Sequence, residues 1–243
     1  MLAYASLTKT GSRQINEDSV GARRTTNGMF CIVADGLGGH SAGEVASKLA
    51  VEAALRVIEK GGHAFEETLA ACMNEGQNSI MEEQLRQKRV SEMKTTAAML
   101  LIEGNMARWA HIGDSRVYMF EGADMASRTI DHSVPQMLAI QGEIEEKEIR
   151  FHEDRNRLTR VMGVEWDTPR FVLSDTVKLA APVSFLLCSD GFWEYIDEKE
   201  MSRLLKNSEQ PGEWLIEMEK IVLENGKNKN MDNYSAVAAF LRS

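Results

Sequence analysis

The stretch Cys31-Ile32-Val33-Ala34-Asp35-Gly36-Leu37-Gly38-Gly39-His40 constrains the fold more than any other part of the 243-residue chain. No polar residue interrupts its apolar opening, so it predicts a strand covered on both faces, with Asp35 where the strand emerges. The glycines that follow let the backbone turn sharply and come close to a ligand. Three further segments bring an acid to the tip of an apolar run: Ile112-Gly113-Asp114, Leu187-Cys188-Ser189-Asp190-Gly191, and Asp232-Asn233 at the start of the last strand. Several strand-end carboxylates aimed at one place suggest a metal site.

Periodicity fills in the rest. Strands are predicted near 2–8, 19–25 and 29–35, the last two joined by a hairpin turn at Asn27-Gly28. A helix over 41–60 has Val45, Leu49, Ala53 and Val57 in one row and Ala46, Ala50, Ala54 and Ile58 in the next, a wide apolar face. A second helix spans about 63–88. Strands over 95–103, 106–112, 115–120 and 125–130 follow, and their short connections predict antiparallel neighbours throughout. Helices fit 134–141 and 145–150, and the polar, Arg-rich stretch 151–168 reads as a surface loop or flap. Strands near 170–176, 183–189 and 234–241 complete the β content, with helices near 198–206 and 211–225. Hairpin blocks and helix pairs without βαβ alternation give an α+β class. Strands apolar on both faces require two face-to-face antiparallel sheets flanked by helix pairs, and no linker-like stretch divides residues 1–243, so one domain is expected.

The net charge of -9 argues against a nucleic-acid or anionic-membrane partner, although site carboxylates neutralised by a cation would account for part of it. No apolar run approaches the roughly 20 residues that span a bilayer, and the first residues lack a basic-then-apolar signal pattern, so a cytoplasmic protein is expected. The three cysteines, Cys31, Cys72 and Cys188, fit buried free thiols better than a disulfide or zinc cluster.

Arg13 with Asn16-Glu17-Asp18, the Asp35–His40 turn, Thr95-Thr96, Gly113-Asp114-Ser115-Arg116, Asp131-His132-Ser133, Asn156-Arg157-Leu158-Thr159-Arg160, Ser189-Asp190-Gly191 and Asp232-Asn233 occur in an order and spacing that resembles the PP2C-type (PPM) metal-dependent protein serine/threonine phosphatases, bacterial branch. The likeness runs over nearly the whole chain. It departs at Lys94, where that family usually has Gly, and at Ser235, where Thr is common; neither position is an implied ligand.

The resemblance implies a four-layer α-β-β-α sandwich and hydrolysis of phosphoserine and phosphothreonine by a water or hydroxide bridging two Mn²⁺ or Mg²⁺ ions, without a covalent phosphoenzyme. Two such ions lower the pKa of a bound water from 15.7 toward roughly 7 to 9, on the order of 10 kcal/mol of activation. By the same resemblance Asp35 bridges both ions and the Gly36 carbonyl ligates one. Asp190 and Asp232 complete the other ion's shell, Glu17 and Asp18 hold metal-bound waters, and Asp114 with Asp190 matches a third, weaker metal site. Hard oxygen ligands suit Mg²⁺ or Mn²⁺ and disfavour zinc. Arg13 matches the phosphate-binding arginine, and His40 is the candidate general acid for the leaving oxygen.

Arg116 reads as a structural ion-pair partner, while Asn156, Arg157 and Arg160 are open to fold-internal pairing or phosphopeptide contact. The implied partners are phosphorylated proteins and a cognate Ser/Thr kinase, with the chain acting as a monomer. Two alternatives stand beside this: a regulatory module that binds phosphoproteins with little turnover, and a phosphatase dedicated to an anti-sigma-type or secretion-system regulator.

Overall fold

The computed structural model describes residues 1–38, 42–89 and 92–242. In chain order the elements are β1 (Leu2–Lys9), β2 (Asp18–Arg24), β3 (Gly28–Leu37), α1 (Ala42–Lys60), α2 (Phe65–Gln87), β4 (Lys94–Thr95), β5 (Ala97–Glu103), β6 (Met106–Ile112), β7 (Arg116–Glu121) and β8 (Asp124–Arg128). Then come α3 (Val134–Gln141), a 3-10 turn at Glu146–Phe151, β9 (Val172–Leu173), β10 (Val177–Lys178), β11 (Val183–Cys188), α4 (Asp190–Trp193), α5 (Glu198–Leu205), α6 (Pro211–Gly226) and β12 (Tyr234–Leu241).

The strands form two sheets in which every pairing is antiparallel: β1-β12-β11-β7-β8, and β10-β6-β5-β3-β2 with β4 added to β3 and β9 to β6. Side-chain alternation in β3 decides the layering. Phe30, Ile32 and Ala34 face α1 and α2, where they join Ala46, Ala50, Leu69 and Met73. Met29, Cys31 and Val33 face the other sheet, packing with Val117, Phe185, Leu187, Val237 and Ala239. The far side of that second sheet is covered by Trp193, Met201, Trp214 and Met218 from α4, α5 and α6. The order of layers is therefore α-β-β-α, as the doubly apolar strands require. All three cysteines are buried and free.

Three local expectations are corrected. Strands β6 and β7 are not hairpin neighbours: Gly113-Asp114-Ser115 carries the chain from one sheet to the other. Three residues reach about 10 Å, which is the spacing between stacked sheets, so a connection too short for any other crossover serves here. Gly113 makes the bend at φ +93°, where a Cβ would strike the Thr96 side chain at 2.5 Å. The stretch 151–168 is not a loose flap throughout. Met162 is fully buried beside Ile80 and Met93, and its backbone pairs with Thr95. The adjoining Gly163 N–H donates to Gln77 Oε1 at 2.8 Å, and Gln84 Nε2 donates to the Gly163 carbonyl at 2.7 Å. Finally, the strand expected near 170–176 is two two-residue strands, β9 and β10, each bonded to the edge of β6.

Candidate metal and phosphate site

Register builds the site first. In the β2–β3 ladder Asp18 lies directly opposite Asp35, so the hairpin brings two acids 17 positions apart together at one end of the sheet. The Asp35 backbone is fixed on its other side: its N–H donates to Thr96 Oγ1 at 3.0 Å, and its carbonyl accepts from Thr95 Oγ1 and from the Thr96 N–H, both at 2.8 Å. Gly36 follows in a place with no room for a side chain. A Cβ there would lie 2.2 Å from the Gly43 carbonyl oxygen and 2.5 Å from that of Glu17.

From the other sheet, β11 ends at Cys188 and delivers Asp190 as the first residue of α4, while Asp232 stands two residues before β12. Asp114 arrives on the inter-sheet crossover. Asn233 ties the N-terminal arm to this cluster. Its Nδ2 donates to the carbonyls of Thr10 and Ile15 at 2.9 Å each, and its Oδ1 accepts the Glu17 N–H at 2.8 Å. That clamp holds Arg13 and Glu17 beside Asp232, and Arg13 Nη2 donates to Asp232 Oδ2 at 2.8 Å.

Arg13, Glu17, Asp35, Gly36, Asp114, Asp190 and Asp232 thus line one cavity of about 430 Å³. Asp18 lies behind its wall, 6% exposed, with Oδ2 accepting the Ser189 hydroxyl at 2.7 Å. His40 lies outside the described residues. Arg116 points away from the cavity and is paired through Nε and Nη2 with Asp131 at 2.9 and 2.6 Å, both side chains buried. The Trp193 ring closes over its guanidinium at 3.5 Å.

The electrostatics are those of an acid cluster short of positive charge. Burial pushes Asp18 up to about 7, against the stabilising Ser189 hydrogen bond. Burial, then the Asp190, Asp18 and Asp114 carboxylates, hold Asp35 well above the usual range. Asp114 is raised by burial and by Asp190, and Asp190 by burial and by Asp232. Glu17 is raised by burial and then by Asp232. Asp35 and Asp190 act on each other, and their crowding favours protonation within the cluster. A pair of bare carboxylates near 4 Å would cost about 4 kcal/mol at an effective dielectric of 20, and protonation removes that cost.

A hard divalent cation removes it equally well, and the donor set fits one. Every group lining the anionic side offers oxygen, and Asp18 Oδ1 is buried with no hydrogen-bond partner among the described residues. Among those residues no three His, Cys, Asp or Glu side chains close around a single point by themselves. The spread suits Mg²⁺ or Mn²⁺, which keep several waters and take few protein ligands, and is too open for a tetrahedral zinc cage.

Sequence reasoning missed the residues that position these acids. Asn233, Thr96 and Ser189 each sit inside a motif, yet no spacing rule distinguishes a clamp from a bystander. It also missed Glu194, which salt-bridges Arg155 and is lifted to about 7 by burial and by Asp190.

Comparison with known proteins agrees with this geometry. The protein phosphatase 2C family model matches residues 8–234. The serine/threonine protein phosphatase PstP of Mycobacterium tuberculosis is 31% identical over 211 residues, which is 85% of this chain and 39% of PstP, so the chain spans about two fifths of that relative's length. The serine/threonine phosphatase stp of Listeria monocytogenes is 32% identical over 205 residues, covering 80% of this chain and 79% of stp. A crystal structure of the PstP catalytic domain in complex with two manganese ions superposes with a TM-score of 0.84 at 27% identity, covering 100% of this chain and 99% of that one. An all-oxygen acid cluster at the join of two sheets, in a chain matched along nearly its whole length, leaves one assignment: this chain belongs to the protein phosphatase 2C family.

Proposed function

We propose that the chain is a single-domain metal-dependent phosphatase that hydrolyses phosphoserine and phosphothreonine in proteins by direct attack of water, opposing a Ser/Thr kinase. The observation that carries this is the convergence of Asp35, Asp114, Asp190 and Asp232 in one cavity with Arg13 at its rim. Asp35 and the Gly36 carbonyl would hold one Mn²⁺ or Mg²⁺, and Asp35, Asp190 and Asp232 the other. Glu17 and Asp18 would orient coordinated waters, and Asp114 with Asp190 would offer a third, weaker position. When bound, such ions lower the pKa of water and neutralise phosphoryl oxygens.

The protein's own groups do the rest. Arg13 and Asp232 are both partly open to solvent, so the Arg13 guanidinium can leave Asp232 and present its planar fork to two phosphoryl oxygens. Asn233 keeps the arm that carries Arg13 at fixed distance from the acids. His40 is the candidate, by the family resemblance, to protonate the departing serine or threonine oxygen. Every acid that the family resemblance implies is present in the sequence, which weighs against a binding module without turnover.

Hydrolysis of para-nitrophenyl phosphate and of a phosphothreonine peptide, with Mn²⁺ and with chelator, tests the reading. Activity that needs the metal and vanishes in Asp35→Asn supports it. Turnover indifferent to chelator refutes it.

A further inference from the structure

A second cavity, of about 540 Å³, lies beside the first, and residues 156–160 are the wall between them. Asn156 and Leu158 line the phosphate cavity; Thr159 and Arg160 line its neighbour. The wall is held from the second side, where the Thr159 N–H donates to the His132 carbonyl at 2.8 Å and Leu158 bridges to Ser133. The floor holds Trp109 and two stacked imidazoles, His111 and His132, with ring centroids 4.8 Å apart. His132 Nδ1 accepts the Gly113 N–H at 3.1 Å, which joins this floor to the crossover that carries Asp114.

The rim is apolar and open. Ile130, Met137, Ile140 and Val172 are 49%, 50%, 70% and 41% exposed. Four large apolar side chains around one concave mouth exceed the scattered exposure of an ordinary surface. The charge at the mouth is also specific. Arg128 is already matched by Asp131 and Glu146. Arg160 is exposed and has no acidic partner among the described residues; its one hydrogen bond, at 3.5 Å, goes to the Arg170 carbonyl. The complement of an apolar rim with one unmatched guanidinium is a segment carrying an apolar side chain next to an acid. Continuity with the phosphate cavity indicates whose segment it is, because only a chain already anchored by its phosphoryl group has to cross this wall.

We infer that the second cavity docks the polypeptide flank of the phosphoprotein substrate, seating an apolar side chain against Met137 and Ile140 and an acidic one against Arg160. This rests on the phosphatase reading. At about 3.3 Å per residue, an extended flank crosses the wall within roughly two to five residues of the phosphorylated one.

The test uses phosphothreonine peptides with Leu-Glu placed at each of those distances, before or after phosphothreonine, in an otherwise Ala/Ser background. At least one placement should raise kcat/KM about tenfold through KM, and Ile140→Asp and Arg160→Glu should each abolish that gain. Hydrolysis of para-nitrophenyl phosphate, which has no flank, should stay within about twofold in both variants. The unphosphorylated form of the best peptide should shift the ring NMR signals of His111 and His132. Equal rates across all placements, a preference that survives both variants, or unmoved ring signals would overturn the inference. Ring signals that move with protein concentration alone would assign the cavity to a second copy of this chain and overturn it too. A wild-type protein inert on para-nitrophenyl phosphate would instead sink the phosphatase reading, and the docking claim would then be judged on the ring signals.

Discussion

Arg13 Nη2 lies 2.8 Å from Asp232 Oδ2, a contact between residues 219 positions apart that places the cation proposed for phosphate against an acid proposed for metal. On the proposed reading each would release the other when ion and substrate bind. Replacing Arg13 with Lys keeps the charge and loses the fork, so KM for phosphate monoesters should rise about 10- to 100-fold, the equivalent of the roughly 1.5–3 kcal/mol of a charge-assisted hydrogen bond, with kcat changed less. Steady-state kinetics on a phosphothreonine peptide read this directly; an unchanged KM would remove Arg13 from the phosphate site.

Burial and the neighbouring Asp190, Asp18 and Asp114 carboxylates favour the neutral form of Asp35, which an amide mimics while being a poor metal ligand. Asp35→Asn should lower Mn²⁺-dependent turnover by about 10³-fold or more, while the melting temperature in chelator stays at or above that of the parent. Kinetics and thermal melts on one preparation separate the two effects. Collapse of the fold would show the side chain to be structural.

Buried acids with raised pKa values also set a pH dependence. Asp18, lifted to about 7, with Asp35, Asp114 and Asp190, binds protons in the folded state that the unfolded chain releases near pH 4. Their stabilisation is complete below the unfolded pKa and is lost as pH rises through the folded values. A cation substitutes for those protons, so the gain in melting temperature on adding Mn²⁺ should be larger at about pH 8 than at about pH 5. Equal gains at both pH values would mean that the metal binds elsewhere.

The Arg116–Asp131 pair lies behind the site and supports it from within the fold. Truncating Asp131 to Ala leaves a buried guanidinium with Tyr118 and a more distant Glu198 carboxylate at 3.6 Å. Loss of one member of a buried pair costs about 3–5 kcal/mol, and the melting temperature should fall by roughly 6–20 °C. Thermal denaturation measures it; a fall of less than about 2 °C would show the pair to be dispensable.

Much of this arrangement was legible because two signals reinforce each other. The uninterrupted apolar run of β3 announced burial on both faces, and its alternation of Phe30, Ile32 and Ala34 with Met29, Cys31 and Val33 does divide between two cores. The Asn27-Gly28 turn and the apolar rows of α1 are local signals and lie where local rules put them. What failed was long-range. Whether a three-residue link closes a hairpin or crosses between sheets depends on what needs covering, and nothing near Gly113 records that. Met162 and Gly163 are anchored by Gln77, Gln84 and Thr95, partners 67 to 86 positions away, and polar neighbours hide them in the sequence. Asp35, Asp114, Asp190 and Asp232 stood out as acids at the tips of apolar runs, and the family pattern gave them roles and added Glu17 and Asp18; that Asn233 is the clamp holding the arm beside them emerged only from its hydrogen bonds.

The central claim, that acids from both sheets converge to hold hard divalent cations, is tested most directly by anomalous diffraction from crystals soaked in Mn²⁺. The account predicts two strong anomalous peaks in the cavity, one bounded by Asp35 and the Gly36 carbonyl and the other by Asp35, Asp190 and Asp232. A saturating soak that left this cavity without a peak, or with Arg13 still bonded to Asp232 and manganese bound elsewhere, would contradict it.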